Sequence, residues 1–286
     1  MGDVLTGFHT VWEFDTDSVL IRFERGIRTP KLLQALGERR IPYEALAAVE
    51  QAPGKRGTVV LRAVPRPGAD PLMDVADGQL KEGSDPYRLV LPAERDALAE
   101  YYADEIRAAL GPDAAVPAQR PLVAAPTPPA SFKAYDGKAS FDGASVAFRW
   151  FWTGASSAKW KAGDQRFAVE ELSGVQWRSP EIAGGYLRLV PRGAEDGLPG
   201  QADQDPAAVV FGMGYGLIHE SLPFAAAVLQ AVRAASPASP GARVPAARPD
   251  PGGIADRIRH LGALHDAGLL TDDEFSAKKA QLLAEL

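Results

Sequence analysis

With 286 residues, of which 46% are apolar, the chain has room for two ordinary domains plus a tail and enough apolar content to bury real cores. A net charge of −6 argues against a dedicated nucleic-acid binder, because such proteins draw most of their affinity from neutralising phosphates. The absence of cysteine excludes disulfides, thiol catalysis and thiolate metal sites, and fits a reducing cytoplasm.

No apolar run approaches the ~20 residues of a membrane span, and the N-terminus lacks a signal-peptide pattern, so a soluble cytoplasmic protein is expected. Residues 1–111 open with the alternation Val19, Ile21 and Phe23, which predicts a strand. A second strand pair surrounds Arg40-Ile-Pro-Tyr-Glu44-Ala-Leu46-Ala-Ala-Val49, and a third strand covers Thr58 to Val64. After Asp85-Pro86 comes an apolar run from Tyr87 to Leu91. Leu98, Tyr101, Tyr102, Glu105, Ile106 and Leu110 then recur at helical spacing. Residues 112–129 are rich in Pro and Ala and predict an extended, solvated linker.

Residues 130–235 repeat this plan. Arg166-Phe-Ala-Val-Glu170-Glu-Leu172-Ser-Gly-Val175 matches the Arg40 segment, and Arg188-Leu-Val190-Pro191-Arg192 matches Arg62-Ala-Val64-Pro65-Arg66 at the same offset. Ser145-Val-Ala-Phe-Arg149-Trp150 answers Ser18-Val-Leu-Ile-Arg22-Phe23, and Asp205-Pro206 answers Asp85-Pro86. A closing helix is predicted from Leu222, Ala225, Val228, Leu229 and Val232. One fold therefore occurs twice. Strands first and one helix last describe an α+β class, with each repeat a barrel or bent sheet capped by its C-terminal helix.

The motif Ile-Pro-x-Glu-x-Leu-x-x-Val, the Arg-x-Val-Pro-Arg strand and the Asp-Pro ending resemble the DUF4429 family, domains of unknown function from actinobacteria that often stand in tandem. The element order also resembles a pleckstrin-homology-like barrel of the bacterial type. The family resemblance implies an architecture and no chemistry.

A second Pro/Ala/Gly-rich linker covers residues 236–253, and residues 254–286 read as two short helices. Ile258, Leu261 and Leu264 share a face of the first, Gly268 suits a helix C′ position, and Thr271-Asp-Asp-Glu274 forms a capping box. Phe275, Leu282, Leu283 and Leu286 line the second. A hairpin below ~40 residues with no metal and no disulfide needs a partner. Its Gly-x-x-Thr-x-x-Glu-Phe core resembles the bacterial SHOCT domain, which implies oligomerisation. A homo-oligomer or a protein partner is expected.

Three surface features compete for a functional role. Phe148, Trp150, Phe151 and Trp152, with Trp160 beyond, form the densest aromatic cluster, expected to pack the repeats together or to meet a partner. Arg22, Arg25, Arg28, Lys31, Arg39 and Arg40 form a cationic run that would suit an anionic ligand or a membrane surface. Gly212-Met-Gly-Tyr-Gly216 superficially suggests a phosphate cradle, but without a P-loop Lys-Ser/Thr it reads as a turn between strand and helix. His9, His219, His260 and His265 show no metal-ligand spacing, and no nucleophile-elbow serine is present. No cofactor, small-molecule substrate or catalytic residue is expected. The reading is a non-enzymatic scaffold that assembles through its tail; the alternative is a binding module for an anionic ligand or membrane surface through the cationic run, and an enzyme without a recognisable motif ranks last.

Overall fold

A four-stranded antiparallel sheet opens the first repeat, in the order β1 (Asp3–Thr6), β2 (Thr10–Phe14), β3 (Ser18–Phe23) and β4 (Glu38–Pro42). This computed structural model describes residues 3–126, 130–194 and 200–235, together with Gly262, His265, Phe275, Ser276, Lys279 and Ala280. A short helix α1 (Lys31–Leu36) interrupts the connection from β3 to β4. At the Ile-Pro-x-Glu motif the chain turns a corner: Pro42 ends β4, Tyr43–Ala45 make one 3-10 turn, and Leu46 starts the next strand. A second sheet follows, β5 (Leu46–Pro53), β6 (Thr58–Pro65) and β7 (Arg88–Pro92), with α2 (Pro71–Ala76) between its last two strands. The helix α3 (Asp96–Ala109) lies across this second sheet, burying Ala99, Tyr102, Ala103 and Ile106 and turning Glu100 and Arg107 outward.

The second repeat has the same strand order. Its first sheet contains β8 (Ala130–Lys133), β9 (Gly137–Phe141), β10 (Ser145–Trp150) and β11 (Gln165–Ala168), with α4 (Ser157–Ala162) before the last strand. Its second sheet contains β12 (Leu172–Arg178), β13 (Tyr186–Pro191) and β14 (Ala208–Val210). Both copies carry a bulge at the same place, between Leu46 and Ala48 and between Leu172 and Gly174. A bulge is a local, sequence-encoded irregularity, so its recurrence marks the repeats as copies.

Neither repeat closes into a barrel. The two sheets of each copy meet at a corner, where Phe8 N–H donates to Val90 O at 2.8 Å and Tyr135 N–H donates to Val210 O at 3.0 Å. The first hairpin of each copy, β1–β2 and β8–β9, was not anticipated from the sequence.

The closing helix of repeat two, α5 (Ile218–Ala235), joins the repeats. It is apolar on more than one side and buries Leu222, Phe224, Ala225, Ala226, Ala227, Val228 and Val232. One side covers its own sheet, while another receives Leu32 of α1 and Leu72, Val75 and Ala76 of α2 from repeat one. Arg233 pairs with Asp74 at 2.6 Å across this seam. Gln79 donates to Trp177 O and accepts from Ser179 N–H. Of the two expectations for the aromatic cluster, repeat packing or a partner surface, the first is therefore corrected. The repeats meet through helices.

The linker 112–129 is likewise not a solvated tether where it is described. Leu122 and Val123 N–H groups donate to Ala69 O, Ala125 N–H donates to Gln230 Oε1 at 2.7 Å, and Val123 is buried. Among the described residues no helix is long and apolar enough to cross a membrane.

Candidate interaction site

The motif residues that mark each repeat are occupied with structure. Arg62 pairs with Asp85 at 3.0 Å, and its counterpart Arg188 pairs with Asp205 at 2.8 Å. Each aspartate also accepts a backbone bond two residues on, from Tyr87 N–H and Ala207 N–H, and so fixes the turn into the last strand. Arg66 donates to Glu44 O and Arg192 to Glu170 O, which ties the ends of β6 and β13 to the corner turns. These are fastenings.

Two further ion pairs are buried. Arg39, expected on a cationic surface, lies inside with Asp70 at 2.9 Å, and Tyr87 O–H donates to the other carboxylate oxygen. Burial is the largest influence and works against the Arg39 charge, but Asp70 and Tyr87 together outweigh it and leave the guanidinium pKa raised. Burial pushes the Tyr87 hydroxyl well up, with Asp70 adding to it. In repeat two, Lys159 and Asp136 are 0% and 1% exposed and lie 2.5 Å apart. Asp136 also accepts from Val210 N–H, and the Lys159 ammonium sits over the Trp150 ring. Burial raises the Asp136 pKa and lowers that of Lys159, each effect being opposed by the partner. The first repeat places Leu33 where the second has Lys159, so an apolar plug in one copy is an ion pair in the other.

The aromatic cluster divides. Phe148 and Trp150 belong to the core of their own repeat, with Trp150 Nε1–H donating to Gly163 O. The strand β10 ends at Trp150, so Phe151 and Trp152 lie in the following turn and do not continue its alternation. Phe151 is half-buried, while Trp152 and Trp160 are exposed.

The cationic run divides too. Arg22 pairs with Glu13 and Glu38, Arg40 with Asp15, and Arg39 with Asp70. Arg25, Arg28 and Lys31 are exposed on and beside the loop from β3 to α1, with no ion pair among the described residues.

The Gly212–Gly216 segment is a tight turn. Tyr215 N–H donates to Gly212 O and Gly216 N–H to Lys133 O, so those amides are used within the fold. A side chain at Gly216 would meet the Phe211 ring at 2.1 Å. Among the described residues no group of three or more His, Asp or Glu is spaced to hold a metal.

With the fold duplicated and its fastenings duplicated, the comparison with known families is decisive. The model described as a domain of unknown function, DUF4429, matches residues 12–107 and again 139–229, which is well over half of the chain. The chain belongs to the DUF4429 family. Residues 256–283 match a second model, the short C-terminal domain SHOCT. No curated protein matches the chain.

Of the tail positions singled out in the SHOCT segment, Ile258, Leu261, Leu264, Leu282 and Leu283 lie outside the described residues. Phe275 is described, in a helical segment, half-buried and packed against the core of the first DUF4429 repeat. Its ring stacks on His265 with centroids 4.6 Å apart, and Lys279 Nζ lies 5.5 Å from its centroid.

Proposed function

We propose that this DUF4429 protein is a non-catalytic scaffold whose SHOCT hairpin can leave the first repeat of its own chain for that of a second copy, and so builds an oligomer. The reading is carried by Phe275. A module too small to hold itself together needs an apolar receptor, and this ring lies against the core of repeat one. Each copy thus carries one hairpin and one receptor. Mutual exchange between two copies closes a dimer without any new surface, which is domain swapping. Linking the hairpin to the repeats also raises its effective concentration at the receptor. We further read each repeat as an opened relative of the pleckstrin-homology-like fold, a reading supported by four strands, then three, then one helix in both copies.

Subunit exchange tests the proposal. The chain has no cysteine, so Ser276→Cys, an exposed position beside Phe275, gives a single labelling site. Mixing donor-labelled and acceptor-labelled populations is expected to give energy transfer that unlabelled protein competes away. Its absence at concentrations where the wild type is assembled would remove the exchange mechanism.

A further inference from the structure

Both repeats expose large apolar side chains at the same end of the fold. The first hairpin turn carries Phe8 in one copy and Tyr135 in the other, each 51% exposed. The loop after the third strand carries Ile27, 106% exposed, in one copy and Trp152, 82% exposed, in the other. Equivalent hydrogen bonds hold turn and loop together: Glu24 N–H donates to His9 O and Phe151 N–H donates to Asp136 O, both at 2.9 Å. Single exposed apolar residues are ordinary. A rim that recurs on the same turn and the same loop of both copies, with Phe8 and Tyr135 at equivalent positions and Ile27 and Trp152 elsewhere in equivalent loops, is not scattered.

In repeat one the rim is shaped and charged. Thr29 N–H donates to Gly26 O at 3.1 Å, and Gln34 Nε2 clamps both Gly26 O and Thr29 O. The turn therefore holds Ile27 and Arg28 at its apex. Arg25, Arg28 and Lys31 surround the apolar tip, and Glu24 is the one acidic residue between positions 24 and 31. This local positive balance stands against a whole-chain charge of −6. Apolar tips ringed by cations on a convex loop differ from a protein interface core, which is depleted of charge. They match the boundary of an anionic bilayer, where apolar and aromatic groups enter below the headgroups and cations stay among them.

We propose that this rim, with Ile27 and its three cations as the principal contact and Tyr135 and Trp152 as the second, docks the protein on an anionic membrane surface. The test is co-sedimentation of the full chain with phosphatidylcholine vesicles, with and without phosphatidylserine. The wild type is expected to bind only the phosphatidylserine-containing vesicles. Arg25→Glu with Arg28→Glu is expected to lower partitioning by about 25-fold or more, at about fivefold per cation removed. Ile27→Ser is expected to weaken it by about tenfold while retaining the preference for anionic lipid. All of these side chains are exposed, so melting temperatures should stay at the wild-type value. Equal partitioning of the wild type on both vesicle types would overturn the proposal, as would wild-type binding by the charge-reversed variant. Selective binding by the Phe275→Asp chain would separate this contact from tail-driven assembly.

Discussion

Replacing Lys159 by Leu should destabilise the second repeat severely, although the same position in the first repeat holds Leu33. Lys159 is 0% exposed and its ammonium neutralises Asp136, itself 1% exposed. Removing one partner of a buried ion pair leaves the other charge without water or a counter-charge, at a cost of about 3–5 kcal/mol. For a body of this size that corresponds to a fall in melting temperature of about 6–20 °C. The double variant Lys159→Leu with Asp136→Asn should recover most of the loss. An amide keeps an acceptor for Val210 N–H, and replacing both charges of a buried pair is close to neutral. The pH dependence follows from burial, which already raises the Asp136 pKa. Without Lys159 it rises further, so the folded state takes up a proton before the unfolded chain does. The deficit of the single variant should therefore be largest at neutral pH and shrink on acidification. Urea unfolding from neutral to mildly acidic pH measures this directly. A single variant within about 1 kcal/mol of wild type at neutral pH, or a deficit that grows in acid, would refute the reasoning.

The duplicated Arg–Asp fastening should not be equally strong in both copies. Arg188→Leu, in a pair whose side chains are 7% and 4% exposed, should cost about 3 kcal/mol or more by leaving Asp205 stranded. Arg62→Leu, with 47% of its side chain exposed, should cost about 1 kcal/mol or less in the same assay. At the surface, Ala144 and Ser145 N–H groups and the Ser145 hydroxyl hold the Asp142 carboxyl at about 2, below its usual 3.8. Its contribution is present above pH 3.8 and is lost as the pH falls toward about 2, so Asp142→Asn should flatten the acid limb of the stability curve there.

The duplication, the strand-then-helix order and the two modules were legible because they are written in spacing and in local motifs. What escaped depends on contacts distant in sequence. Arg39 looks like any surface arginine until Asp70 and Tyr87 fold over it. Trp152 continues an alternation by count, but β10 ends two residues earlier and Asp136 O captures the Phe151 amide. The first hairpins had a readable signal in Thr10, Trp12 and Phe14, which are all buried and alternate with Val11 and Glu13. The junction between repeats also had one. Phe224, Ala226 and Ala227 make α5 apolar beyond the single face that its own sheet needs, whereas α3 keeps a charged side. A helix apolar on two sides requires two partners. The prolines of the linker suggest solvated chain, yet Val123 among them is a core residue.

Assembly through the hairpin is the central claim, and the molar mass of the full chain by light scattering tests it most directly. Phe275→Asp removes burial worth about 1.5–3 kcal/mol and places a charge against the core of repeat one. A wild type heavier than the 30.4 kDa chain, with the Phe275→Asp chain reduced to that mass while both repeats still unfold cooperatively, is the result predicted. A wild type that stays at the monomer mass at micromolar concentration, or a variant that assembles as fully as the wild type, would contradict it.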